Sequence, residues 1–154
     1  MYFIYSAILA LAAAVTFPYF LVQGLRQGKY LVSLRARLGR IPAEARSGRA
    51  GATAAAGATD ALWLHAVSVG ELLACQGLAG ALKDRFPQRR LLVSTTTETG
   101  FRAAQQRRAG GALQADAVFF CPFDFRFSVR RALRQVRPGM LLVAETEFWP
   151  TLFR

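Results

Sequence analysis

Hydrophobic patterning divides the chain into three parts. Residues 1 to 22, MYFIYSAILALAAAVTFPYFLV, are apolar and carry no charge. Residues 42 to 59, PAEARSGRAGATAAAGAT, hold no large apolar side chain and read as a low-complexity linker or loop. From Asp60 onward, short runs of strand-forming residues alternate with stretches of helical period. The spacing predicts strands over 61–67, 90–95, 115–121 and 140–144, with helices over 70–85, 99–109 and 127–136. Strands alternating with helices in the order β-α-β-α-β-α-β argue for right-handed crossovers and a parallel sheet with helices on both faces. The expected fold is therefore α/β and Rossmann-like over residues 60–154.

The apolar run at 1–22 is long enough to cross a hydrocarbon core of roughly 30 Å. No basic residue precedes it and no small-residue cleavage site follows it, so it does not read as a signal peptide. Arg26, Lys29, Arg35, Arg37 and Arg40 follow instead. The sequence predicts an uncleaved N-terminal membrane helix, with the rest of the chain on the cytoplasmic side. A shallow hydrophobic helix and a soluble buried one are the alternatives, and Pro18 would kink any of them.

Charge sharpens this picture. The formal net charge is +11, and its densest part lies between Arg26 and Arg49, where Glu44 is the sole acid. In the segment 23–41, apolar residues at 30 or 31, 34 and 38 form one helical stripe. This basic juxtamembrane helix either grips anionic head groups or only fixes orientation. Positive charge beside an apolar terminus favours anionic lipid as a partner over nucleic acid, which is not expected. Cys75 and Cys121 have no CxxC spacing and no histidine cluster, so neither a disulfide framework nor a zinc site is expected. No metal or cofactor is predicted, although spacing alone does not exclude magnesium.

Candidate chemistry collects where strands hand over to helices. In Ala61 to Leu73, ALWLHAVSVGELL, the strand breaks at Ser68-Val69-Gly70 and a helix opens with Glu71 in its first turn. Glu71 reads either as an ordinary N-terminal acid or as a general base at the mouth of the sheet. His65, the only histidine, is either structural or a second candidate. Ser94 to Gly100, STTTETG, brings hydroxyls to a helix N-terminus, as an anion site or as an elaborate cap. Asp124 follows the third strand, and Glu145 and Glu147 follow the fourth. Neither G-x-G-x-x-G nor G-x-x-x-x-G-K-[ST] is present, which excludes a dinucleotide fingerprint and a P-loop. Paired carboxylates at the carboxyl ends of strands suggest acid/base or transfer chemistry.

With these residues in place, the chain resembles the bacterial 3-deoxy-D-manno-octulosonic acid (Kdo) transferases of lipopolysaccharide assembly. The resemblance rests on the apolar N-terminus, GKY at 28–30, RARLGR at 35–40, HAVSVGE at 65–71, STTTETG at 94–100, PFD at 122–124 and ETEFWP at 145–150. It implies the N-terminal, acceptor-binding domain of a two-domain GT-B glycosyltransferase. Such an enzyme moves Kdo from CMP-Kdo to the glucosamine disaccharide of a lipid A precursor, with inversion, at the inner face of the bacterial cytoplasmic (inner) membrane. The resemblance implies that Glu71 is the catalytic base, with Glu145 and Glu147 assisting. It implies substrate contacts or backbone shaping at Ser68, Gly70, Ser94, Thr96, Thr97 and Gly100, and lipid-phosphate contacts at Arg26, Lys29, Arg35 and Arg37. The C-terminal domain for CMP-Kdo is expected outside this sequence, so the fragment alone is expected to be inactive. The alternative from another class is a non-catalytic, membrane-anchored lipid-binding or scaffold domain.

Overall fold

In a computed structural model, which describes residues 7–8, 11–12, 14–16, 30–46, 61–144 and 149–153, the four expected strands form one parallel sheet. They are β1 (Ala61–His65), β2 (Leu91–Thr95), β3 (Ala117–Phe120) and β4 (Pro138–Val143). Their spatial order is β3-β2-β1-β4. In register, Leu64 lies between Val93 and Leu142, and Val93 pairs onward with Val118. Every residue of ALWLH, LLVST and AVFF is buried, which explains why these strands read as continuous apolar runs rather than alternating ones. Strand β4 is an edge and is only partly covered.

Helices cover both faces, as the β/α alternation predicts. They are α1 (Tyr30–Arg37), α2 (Val69–Ala74), α3 (Gln76–Arg85), α4 (Glu98–Ala109) and α5 (Arg126–Val136), with a short 3-10 turn at Ala43–Ala45. On one face Leu62, Leu64, Leu91, Val93 and Val118 pack against Leu72, Ala79, Leu82 and Ala104 of α2 to α4. On the other, Trp63, Leu92 and Phe119 meet Ile41, Ala45 and the α5 residues Val129, Ala132 and Val136. The single helix expected over 70–85 is divided. Cys75 joins α2 to α3 with its N–H shared between the carbonyls of Glu71 and Leu73, a break that leaves the apolar period unchanged.

The N-terminal membrane helix is not sustained. Residues 1–6, 9–10, 13 and 17–22 of that run lie outside the described residues, and those described within it are helical. Among the described residues no helix is long and apolar enough to cross a membrane. Among the described residues the longest helix, α4, has 12 residues, and at 1.5 Å per residue a helix of that length reaches roughly 18 Å, against the roughly 30 Å of a hydrocarbon core. This corrects the transmembrane assignment and the inner-membrane location that depended on it.

The topology places a site. From β1 to β3 the chain steps in one direction, with α2 to α4 on one face. It then crosses by α5 on the other face and sets β4 against the free side of β1. Strand order therefore reverses between β1 and β4, and the crevice beyond their carboxyl ends is where ligands bind in open α/β sheets.

Candidate active site at the junction of β1 and β4

The residues leaving β1 build one wall of this crevice. Ser68 is the N-cap of α2, with its hydroxyl accepting the N–H of Glu71 at 3.4 Å. The Glu71 carboxylate folds back: Oε2 accepts the Val67 N–H at 2.7 Å and Oε1 accepts the Ser68 hydroxyl at 2.8 Å. This variant of a capping box fixes the carboxylate beside the helix N-terminus, half-buried at the strand mouth. Each oxygen keeps a further lone pair for another donor. Gly70, next to it, is exposed. A Cβ built there would meet only the Ser68 hydroxyl, at 3.9 Å, so packing does not require glycine at this position.

The second wall follows β2, and its hydroxyls have separate tasks. Ser94 is buried, with its oxygen accepting Trp63 Nε1–H at 2.7 Å and lying 2.8 Å from His65 Nδ1. Thr97 caps α4 by accepting the Gly100 N–H at 3.0 Å and donates to the Val67 carbonyl at 3.2 Å. That carbonyl also accepts the N–H groups of Thr96 and Thr97. Gly100 differs from Gly70, because a Cβ there would lie 2.8 Å from Thr97 Oγ1 and 3.4 Å from both Thr95 Cβ and the Val67 carbonyl. The side-chain oxygens of Thr95 and Thr96 are buried without a partner among the described residues.

His65 stands behind both walls. It is fully buried, and burial pushes its pKa down, opposed by the Ser94 backbone and the Glu71 charge. Its Nε2 has no partner among the described residues. The backbone carbonyl of His65 accepts the Ala144 N–H at 2.8 Å, and its ring meets Trp149 edge-on at 6.4 Å. The residues on either side of 145–148 are thus both anchored on His65. Glu145 and Glu147 themselves lie outside the described residues.

The remaining expected site residues separate. Arg26 and Lys29 lie outside the described residues, and Arg35 is exposed on α1. Arg37 turns away from a surface collar and reaches the carboxyl edge of the sheet. Its guanidinium lies 4.6 Å from the Phe120 ring centre and 5.7 Å from that of Phe123, and it donates to the Thr96 carbonyl. Desolvation pushes its pKa down, with Glu98 and Cys121 opposing. Asp124 is buried, and its oxygens accept the N–H groups of Thr151 and Leu152 at 3.0 to 3.2 Å. Its charge caps the last described turn. Sequence spacing gave no sign of the Trp63–Ser94–His65 cluster, since it joins residues from two strands.

The profile of the family described as 3-deoxy-D-manno-octulosonic-acid transferase (kdotransferase) matches residues 32–154. The chain is 42% identical over 113 residues to a 3-deoxy-D-manno-octulosonic acid transferase of Bordetella pertussis, covering 71% of this chain and 26% of that protein. A protein of the same name from Haemophilus influenzae is 34% identical over 93 residues, covering 59% of this chain and 20% of that one. One from Chlamydia trachomatis is 27% identical over 146 residues, covering 95% and 31%. The chain therefore spans less than a third of the length of these relatives.

Proposed function

The chain belongs to the 3-deoxy-D-manno-octulosonic-acid transferase family, and we propose that it supplies the acceptor-binding part of an inverting, CMP-Kdo-dependent glycosyltransferase. The acceptor is the glucosamine disaccharide of a lipid A precursor. Glu71 takes the proton from the acceptor hydroxyl as that oxygen attacks the anomeric carbon of Kdo. The bond from that carbon to the CMP phosphate breaks, and CMP leaves with the bonding pair. Attack on the face opposite the leaving group inverts the configuration.

The observation that carries this reading is the Glu71 carboxylate at the β1–β4 crevice, with its orientation fixed by Val67 and Ser68 and open space over Gly70. A base held in one geometry lowers the ordering cost of proton transfer. Glu145 and Glu147 follow Ala144 in sequence, which is bonded to His65, and take the assisting role. Ser68 and Gly70 shape the approach on one side, and Thr96 and Thr97 form the neighbouring rim, with Ser94 and Gly100 buried behind it. Arg37 offers its remaining N–H donors to an acceptor phosphate, with Arg26, Lys29 and Arg35 contributing charge. The test is incubation of the full-length protein with CMP-Kdo and a lipid A precursor, reading the anomeric configuration of the product by NMR. A Kdo-bearing product of inverted configuration is expected, and a retained configuration or no transfer overturns the reading.

A further inference from the structure

A second concentration of cations lies on the flank of α5, on the opposite face of the sheet from α2 and its Glu71. Arg130, Arg131 and Arg134 of α5 meet Arg40 and Arg46 from the loop after α1. Together with Phe127 and Gln135 they line an open, solvent-facing surface cavity of about 780 Å³. The Arg46 carbonyl accepts from Arg90, immediately before β2, so one end of the cavity lies toward the amino edge of the sheet, away from the strand-end cluster.

The two walls are locked together. Gly39 has φ +86° and sits so close to α5 that a Cβ would fall 2.5 Å from the Ser128 carbonyl. Ser128 Oγ donates to the Arg37 carbonyl at 2.6 Å, and Gln135 Nε2 donates to the Gly39 carbonyl at 2.6 Å. Ile41 and Ala45 are buried in the same cluster as Val129 and Ala132. The loop therefore cannot drift outward to separate the charges.

Among the described residues no carboxylate pairs with them. Among the described residues the ion pairs are Lys83–Asp116, Arg102–Glu98 and Arg108–Glu44. Glu44, the one acid of the loop, turns to Arg108 instead of the cavity. Arg46 uses its Nε on the Ile41 carbonyl, while the guanidinium groups of Arg40, Arg130, Arg131 and Arg134 have no acceptor among the described residues. An ordinary solvated helix face mixes charge signs at i, i+4 spacing, whereas α5, RFSVRRALRQV, has no acid at all. The helix dipole favours cations in its last turn, but that does not account for Arg40 and Arg46, which come from another segment.

We propose that this cavity binds a ligand carrying two or more phosphate groups, at a site separate from the strand-end cluster. Guanidinium forks match phosphate oxygens in pairs, and five of them exceed the charge of a single phosphate. A volume of about 780 Å³ suits a small polyanion, and Phe127, 59% exposed, supplies an apolar wall. The inference stands independently of the transferase reading.

The test is calorimetric titration of the full-length protein with tripolyphosphate and with orthophosphate. It is repeated on Arg130→Gln/Arg131→Gln/Arg134→Gln, on Arg40→Gln from the facing wall, and on Arg85→Gln, an exposed arginine outside the cavity. Tripolyphosphate should bind at least about tenfold more tightly than orthophosphate. The triple variant should lose at least about tenfold, Arg40→Gln a smaller but measurable factor, and Arg85→Gln less than about twofold. Arg40→Gln leaves α5 intact, so it gives a reading even if the triple variant unfolds. Equal losses in Arg85→Gln, or unchanged binding in both cavity variants, overturn the site. Flotation with phosphatidylcholine vesicles, with and without cardiolipin, whose headgroup carries two phosphates, identifies the source of the phosphate. Cavity-dependent vesicle binding marks a lipid headgroup, and tripolyphosphate binding alone marks a soluble ligand. Binding of neither overturns the proposal.

Discussion

Gly70 and Gly100 flank the same crevice, and alanine at each should have opposite consequences. A Cβ at Gly100 would stand 2.8 Å from Thr97 Oγ1 and 3.4 Å from the Val67 carbonyl. Thr97 Oγ1 is the cap of α4 and the Val67 carbonyl is a shared acceptor, so neither can give way without losing a bond. Overpacking of this kind costs about 1–3 kcal/mol, and at ~4–8 °C per kcal/mol for a small domain the Tm of Gly100→Ala should fall by several degrees. At Gly70 the nearest atom is 3.9 Å away, and alanine in a helix gains up to ~1 kcal/mol over glycine. Gly70→Ala should therefore melt at the same temperature as the parent or higher. If the acceptor approaches Glu71 across this bare backbone, the added methyl still obstructs it, and Kdo transfer by the full-length variant should fall at least about tenfold. Differential scanning fluorimetry and a transfer assay on both variants separate the effects. Full transfer in Gly70→Ala would refute the reasoning about the approach path, and a marked drop in its Tm would refute the reading of open space.

Asp124→Ala leaves the buried N–H groups of Thr151 and Leu152 without their acceptor and should cost about 2–3 kcal/mol, read as a lower urea midpoint, with Asp124→Asn falling between. His65 should make stability depend on pH. Burial lowers its folded pKa, so the unfolded chain gains a proton first as pH falls through ~6.5. Its contribution is complete above that pH and is lost progressively below it, at no more than ~1.4 kcal/mol per pH unit, until the folded ring protonates. Urea titrations at about pH 7.5 and about pH 5.5 should show a smaller loss for His65→Gln than for the parent, and equal losses would contradict this role.

Much of the sheet was legible because its strands are buried on both faces. ALWLH, LLVST and AVFF are buried, mainly apolar runs whose polar residues, His65, Ser94 and Thr95, come only at the strand ends, and the handover from Ser68 to Glu71 carries a readable cap. Strand order was not legible, since local patterning does not say on which side of β1 the last strand lies, and that order is what defines the crevice. Other features depend on contacts across long sequence separations. Arg37 reads from sequence as one member of a basic run, yet the chain folds it onto Phe120 and Thr96. Asp124 reads as one more strand-end acid, but it caps a turn 27 residues later. The arginines of α5 are visible at i, i+1 and i+4, whereas their meeting with Arg40 and Arg46 requires the Gly39 turn. The N-terminal run misled because hydropathy and length describe what a segment could span, and the described helices do not reach that length.

The central claim is that Glu71 acts on a proton and does more than cap α2. Glu71→Gln is the direct measurement, because the amide oxygen can still accept the Val67 N–H while the group can no longer take a proton. Stability should fall by no more than ~1 kcal/mol, whereas Kdo transfer by the full-length protein should drop by about 10²- to 10⁴-fold. A folded Glu71→Gln variant that transfers Kdo at the parental rate would contradict the account.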